Sequence, residues 1–394
     1  MPELPIPAPA GKTERRILES AVRLFSTKWY GSVSVAEICR EAGLSNGVFY
    51  RYYANKAELC RSILAATQQK IADAVEEVSG ATPRERLDQF VRIVMDFSLY
   101  HPDLIAVFRE GQYRFIEYER SLEDIYQRGL SRVLGTQINA AESVFALGGI
   151  RYCAIRRGLR GEPLDPDSVL AIIERGLFPD LGYRADRVFA DLLVPLYRNA
   201  CEGARDCLLA AGKGLFGERG FVETNIHEIT DAAGLAVGTF YTYFASKDAF
   251  YAEVIRQTGH DMRRFIASNL PADLNRLERE MRGLWLFINY LQADVSCYHV
   301  VRQAEFILPR EADEYYAAFG RGYAKHPLSA DGLATGVDER TAVQFLIGVG
   351  HYLGIESVLA SGTGDIRDKI EAIGRHYAGG FTERLNPSEP LPQG

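Results

Sequence analysis

An all-α fold is predicted by three features of the chain. Apolar residues recur at helical spacing. Ile17, Ala21, Leu24 and Phe25 fall at i, i+4, i+7 and i+8, and Val35, Ile38, Cys39 and Ala42 at i, i+3, i+4 and i+7. The alternating runs that make half-buried strands are nearly absent. Short helical stretches are also bounded by capping residues and glycines in the order that starts and stops helices.

Taken in order, residues 1–11 carry four prolines in their first ten positions and read as a disordered arm. A longer amphipathic helix opens a unit over 12–60. Ser34 stands three residues before Glu37, the spacing of a capping box, and starts a helix of about two turns. Gly43 stops it, because glycine takes the left-handed C-terminal conformation cheaply. A second short helix, SNGVFYRYY, follows, and Asn55 caps a longer helix beginning at Lys56. Helical periodicity continues over 61–190. The pattern of the first unit then returns over 200–251, with Asn225, Glu228, Gly234, Ser246 and Lys247 in the corresponding roles. Helices resume over 252–385, and 386–394 form a loose tail. The boundary between halves is expected near 180–200.

The return is a repeat. Residues 43–56, GLSNGVFYRYYANK, and 234–247, GLAVGTFYTYFASK, lie 191 positions apart without a gap. Aligned over 21–60 and 212–251, the copies share 13 of 40 positions, including Gly43, Gly47, Phe49, Tyr50, Tyr52 and Lys56 with their partners. Weaker echoes place AVFREGQY (106–113) over VVRQAEF (300–306), and FALGGIRYCAI (145–155) over FLIGVGHYLGI (345–355). The duplicated unit is therefore about half the chain. Two short helices joined at a tight glycine form a helix-turn-helix, whose second helix suits the major groove of DNA.

Both copies resemble the DNA-binding domain of the TetR (tetracycline-repressor-like) family. Ile38, Ala42-Gly43, Gly47, Tyr50, Tyr52-Tyr53 and Asn55-Lys56 fit its pattern in the first copy. In the second, Gly220-Phe221, Ile229, Ala233-Gly234, Gly238, Tyr241, Tyr243-Phe244 and Ser246-Lys247 fit. One departure is Trp29-Tyr30 where the family has Gly-aromatic, so Gly31 is expected to take that turn. The resemblance implies two tandem modules, each a helix-turn-helix domain followed by a helical ligand and interface domain. It implies base-reading positions at Ala36, Asn46, Val48 and Arg51, and at His227, Val237, Thr239 and Thr242. Tyr50, Tyr52 and Lys56, with Tyr241, Tyr243 and Lys247, are expected to meet the phosphates; Gly47 and Gly238 are expected to permit close approach, and the caps Ser34 and Asn225 complete the DNA-binding set. The first copy (12–60) carries eight Lys/Arg and five Asp/Glu, a local +3; the second (203–251) carries four and six, a local −2. The second should bind DNA more weakly.

The midsections are candidates for effector pockets. Phe97, Tyr100, Phe108, Arg109, Tyr113 and Tyr152 are the residues of interest in the first. Trp285, Tyr290, Tyr298, Arg302, Phe306 and Tyr352 are those of the second. Aromatics at helical spacing are as readily plain core, and an arginine among them needs a partner. A carboxylate such as Glu110 or Glu305 would serve, as would an anionic ligand. The glycine-containing segments within 141–159 and 341–359 read as interface helices that pair inside one chain, although a homodimer would use them too.

Other classes fit poorly. A net charge of −7 argues mildly against a protein coated in nucleic acid but leaves local patches open. The six cysteines form no CxxC pair and the histidines no zinc spacing. Packed, reduced thiols in a cytoplasmic protein are expected. No cofactor motif, catalytic constellation, signal peptide or membrane span is legible. The expectation is a non-enzymatic, ligand-responsive transcriptional regulator, a repressor released by a hydrophobic small molecule such as a lipid, acyl-CoA, steroid or drug. It would bind an asymmetric double-stranded operator as an intrachain pseudo-dimer. The alternative is a helical adaptor in which one or both helix-turn-helix modules no longer bind DNA.

Overall fold

The computed structural model describes residues 11–195, 201–359 and 365–385, and no strand occurs among them. The expected arm at 1–11 falls almost entirely outside the described residues, as does the tail at 386–394. The described parts of Met1–Leu177, Thr335–Val349 and Gly379–Gly394 form one compact unit; those of Phe178–Ala334 and Gly350–Ala378 form another.

In the first unit, α1 (Lys12–Thr27), α2 (Val35–Ala42), α3 (Asn46–Phe49) and the start of α4 (Lys56–Glu76) make the first helix-turn-helix region. Ile17, Ala21, Phe25, Ile38 and Phe49 close its core. The body is α5 (Pro83–Tyr100), α6 (Pro102–Arg114), α7 (Ile116–Leu134), α8 (Ala140–Ser143), a π turn at Val144–Gly148, α9 (Gly149–Arg160) and α10 (Pro166–Arg175). Its centre is built partly from residues far along the chain. Phe145 stacks edge-on against Phe345 at 5.4 Å and against Phe381 at 5.7 Å. A Cβ on Gly149 would lie 2.2 Å from the Phe345 ring, and one on Gly348 would lie 2.5 Å from Tyr152 Cβ. The missing side chains are what let these segments approach. Residues 335–349 thus pack with the first half, and the boundaries expected at 190 and 252–385 do not follow compactness.

In the second unit, α11 (Ala185–Val188) precedes α12 (Ala204–Arg219), α13 (Ile226–Ala232), α14 (Val237–Tyr243) and α15 (Lys247–Ser268). The body follows as α16 (Arg276–Ala293), α17 (Ser296–Ile307) and α18 (Pro309–Lys325). α19 (Glu339–Leu359) begins in the first unit and ends in the second, α20 (Ile366–Gly379) lies mostly in the second, and α21 (Thr382–Leu385) belongs to the first. The connecting segment is anchored. Arg282, fully buried on α16, donates to the carbonyls of Val188 and Ala190 at 3.0 Å and of Asn269 at 2.7 Å. Those bonds replace the water lost on burial. No helix among the described residues is long and apolar enough to cross a membrane.

Candidate nucleic-acid interface

The first reader is shaped by its caps. Ser34 Oγ accepts from the Glu37 backbone N–H at 3.1 Å, and Gly43 ends α2 at φ 63°. The expected reciprocal half of that box is absent, because the Glu37 carboxylate binds Lys28 at 2.5 Å instead. Asn225 and Glu228 do form the complete box, and Gly234 closes the corresponding turn at φ 68°. Gly31 lies in the 3₁₀ turn Tyr30–Ser32 at that corner, without positive φ. It is needed because the Trp29 ring lies where its Cβ would be, at 2.2 Å.

The aromatics divide by side. Phe49 and Tyr53, and Phe240 and Phe244, are buried. Tyr50, Tyr52, Tyr241 and Tyr243 are exposed by 58%, 38%, 56% and 46%, far beyond the usual state of a large ring. Beside them Ser34, Ala36, Asn46, Gly47 and Arg51 are exposed and Val48 is half-buried. In the second reader Asn225, His227, Gly238 and Thr242 are exposed, and Val237 and Thr239 are half-buried. Each set lies along one α2–α3 or α13–α14 surface. No carboxylate among the described residues pairs with Arg51. Thr242 Oγ1 donates back to the Gly238 carbonyl at 3.2 Å, which turns its hydroxyl onto its own helix.

Gly47 and Gly238 are the most informative positions. Neither has positive φ. A Cβ on Gly47 would meet nothing nearer than Ser45 Oγ at 4.0 Å, and one on Gly238 nothing within 4 Å. Glycine inside a helix costs about 0.5–1 kcal/mol relative to alanine. Neither packing nor backbone geometry requires that cost.

Lys56 and Lys247 differ from the free phosphate contacts expected. Lys56 Nζ donates to the carbonyls of Tyr30 (2.7 Å) and Val33 (2.6 Å) and sits 4.2 Å from the Tyr30 ring centre. Lys247 Nζ donates to the Thr224 carbonyl at 2.6 Å and sits 4.2 Å from the Phe221 ring. Burial pulls both ammonium pKa values below the ordinary lysine range. They hold the corner between the first two reader helices.

The same corner ties each reader to its helical body. Glu110 on α6 accepts from the Tyr30 backbone N–H with both oxygens at 3.0 Å. At the matching place on α17, Gln303 Oε1 accepts from Phe221 N–H at 2.9 Å. Sequence reading offered Glu110 only as a partner for Arg109. Its signal was the paired Glu110 and Gln303, each following an aligned arginine.

The effector candidates scatter. Phe108 and Tyr152 are buried, and Tyr152 packs closely against Gly348. Phe97 is half-buried against His101, with ring centres 4.9 Å apart, while Arg109 and Tyr113 are half-buried. Tyr100 is 63% exposed at the end of α5 and lines no interior. Trp285 is buried against Phe189 of the connecting segment and over Arg282. Tyr290, Tyr298 and Phe306 are half-buried and Tyr352 is buried. Arg302 takes the carboxylate partner, Glu305 at 2.5 Å, which also accepts from Tyr316 at 2.6 Å. An open groove of about 520 Å³ between α5 and α10, lined by Arg84, Asp167, Glu174 and Arg175, contains none of these candidates.

The chain matches the family model "Bacterial regulatory proteins, tetR family" at residues 17–63 and again at 208–254. It is similar to the uncharacterized HTH-type transcriptional regulator YuxN of Bacillus subtilis, at 26% identity over 196 residues, 45% of this chain and 67% of that protein. The HTH-type transcriptional regulator BetI of Agrobacterium fabrum is 27% identical over 179 residues, 41% of this chain and 84% of BetI. Among solved structures, the fatty acid degradation regulator FadR from Bacillus halodurans superposes with a TM-score of 0.41 at 19% identity, covering 46% of this chain and 98% of FadR. With two such readers, each built from capped helices and outward tyrosines, the chain carries the module of the tetR family of regulatory proteins twice, at residues 17–63 and 208–254.

Proposed function

We propose that this regulator is a ligand-released repressor whose two readers hold the half-sites of one asymmetric operator. The observation that carries the reading is the open space over Gly47 and Gly238 beside the exposed tyrosine pairs. Ser34, Tyr50, Tyr52, Asn225, Tyr241 and Tyr243 face the phosphates. Base edges are read by Ala36, Asn46, Val48 and Arg51 in one half-site and by His227, Val237, Thr239 and Thr242 in the other. Arginine pairs with guanine and asparagine with adenine in ways that Thr242 and Val237 cannot. Half-sites one turn apart require readers roughly 34–36 Å apart. The pairing of Phe145 with Phe345 within one chain supports an intrachain pseudo-dimer. The effector is a hydrophobic small molecule received by a helical body, where Phe97, Tyr113, Tyr290, Tyr298 and Phe306 are only half-buried. It acts on DNA affinity by favouring one separation of the readers.

Selection of operators from random DNA, combined with light scattering, tests this. The expected result is a non-palindromic site bound by a particle of 44.0 kDa. A palindromic site held by two chains would overturn it. Absence of any selected site would favour the adaptor reading.

A further inference from the structure

The two helical bodies differ along one seam. In the second, α15 packs against α18, and of the 17 residues of α18 only Ala312 is buried. α7, which follows the matching stretch of the first copy, buries eight, among them Leu122, Tyr126 and Leu130. On α15 two polar atoms are closed to solvent without a partner. Thr258 is 1% exposed and its Oγ1 makes no hydrogen bond, and Nη1 of Arg263 makes none either. A Cβ on Gly259 would lie 2.8 Å from that Nη1 and 2.6 Å from the Tyr315 ring. The guanidinium tip therefore folds back under Tyr315 to the residue next to Thr258. The centre of the Phe319 ring is 5.5 Å from Arg263 Cζ. No carboxylate among the described residues pairs with Arg263, and Glu314 on the facing helix is held by Arg321 at 2.6 Å.

A buried donor without an acceptor is destabilising, and more so on a charged group. The first copy avoids this. Thr67, the counterpart of Thr258, donates to the Ile63 carbonyl at 2.8 Å. Gln68 stands in place of Gly259 and donates to the Tyr118 carbonyl of α7 at 2.7 Å, and Ala72 stands in place of Arg263. The second body alone holds a cation and a hydroxyl for a group that the chain does not supply. Beside them Met262 is buried and Ile266, Tyr290 and Phe319 are half-buried, an apolar wall continuous with the seam. An unpaired cation next to an apolar wall calls for an occupant with an anionic head and an apolar tail.

We propose that the seam takes an amphipathic anion, an alkyl chain ended by a carboxylate or a phosphate. Arg263 holds the head group with Thr258 beside it, and the chain lies against Met262, Tyr290 and Phe319. Charge-assisted hydrogen bonds are the stronger ones, and a guanidinium suits either head. The inference rests on the reading of a regulator released by a hydrophobic effector. It gives that effector a charge and assigns it to the second body, whose α15 begins at Lys247 of the second reader.

Calorimetric titration of the full chain with decanoate, decyl phosphate and decanol tests this, since the three share one alkyl chain and differ in the head. An anion should bind once per chain and more tightly than decanol. Arg263→Met should weaken anion binding by about 10- to 100-fold, the effect of losing a charged hydrogen bond, and leave decanol unchanged. Arg263→Lys keeps the charge and should recover part of the loss. Preference for either anion supports the proposal and names the head group. The proposal is overturned if decanol binds as tightly as both anions, if none of the three binds, or if Arg263→Met leaves anion binding unchanged. It is also overturned if Arg263→Met halves the mass of the particle, because the seam would then belong to a second copy. Operator binding separates this from the effector reading. Anions held through Arg263 that leave DNA affinity unchanged would keep the inference and sink that reading. Release of DNA by decanol, with no preference for the anions, would do the reverse.

Discussion

The two readers fill the same core with different volumes. In the second, Gly212 on α12 lies under Phe250 on α15, whose ring would be 2.3 Å from an added Cβ. Phe250 and Tyr251 join Phe216, Phe240 and Phe244 in one cluster, and Tyr251 donates to the Val300 carbonyl at 2.7 Å. In the first reader the positions 191 earlier are Ala21, Leu59 and Cys60, all buried. A larger residue on one helix is matched by a smaller one on its neighbour, as close-packed interiors demand. On the outer face Gly47, Tyr50 and Tyr52 recur as Gly238, Tyr241 and Tyr243, while Asn46 and Arg51 between them give way to Val237 and Thr242. Volume is traded within the pair Ala21 and Leu59 against Gly212 and Phe250, while Tyr251 adds bulk where the first reader has Cys60. The outer face kept residues that the core has no use for.

The comparison is broken most strongly at the two lysines. Lys56→Met should destabilise the first reader by about 2–4 kcal/mol, because two carbonyls lose a charged donor, and Lys247→Met should cost about 1–3 kcal/mol, because one does. Denaturant unfolding followed by a probe in each reader measures both. Equal, negligible losses would return the lysines to the role of free phosphate contacts. Next comes volume compensation. Gly212→Ala should cost about 1–3 kcal/mol by overpacking Phe250. Adding Phe250→Leu recreates the first reader's pair and should recover most of it. Simple additivity in that double-mutant cycle would mean the two positions are not coupled.

On DNA the contrast is sharper than on stability. Arg51→Ala should cost about 1–3 kcal/mol of binding and relax one half-site only. Thr242→Ala should do less, since that hydroxyl is already bonded to its own helix. Competition binding on half-site variants separates the two, and equal losses would make the readers equivalent. The smallest stability change is the most discriminating. Gly47→Ala and Gly238→Ala should each raise thermal stability by up to about 0.5–1 kcal/mol while weakening DNA binding in the same preparations. Unchanged DNA binding would remove the argument from open space.

Much of the reader was legible because it is written in short-range rules. The caps at Ser34 and Asn225 and the glycine stops at Gly43 and Gly234 act within a few residues, and the structure places each helix between them. The split of Phe49 and Phe240 inward from Tyr50 and Tyr241 outward follows the same helical period. What distant contacts make was not legible. Tyr100 falls at the exposed end of its helix. Trp285 meets Phe189, and Tyr152 packs closely against Gly348.

By itself the sequence determined that the chain is helical, that it is a duplication, and which residues of each copy build a reader, since hydrogen-bond caps and hydrophobic period are properties of neighbouring residues. Only the tertiary structure decided that Lys56 and Lys247 point into a corner of carbonyls, that Glu110 and Gln303 clasp the readers, and that Phe345 packs with Phe145. Those outcomes depend on which polar groups lose water together and which surfaces interlock. Both are settled between residues about 23 to 200 positions apart, where spacing along the chain carries no information about distance in space.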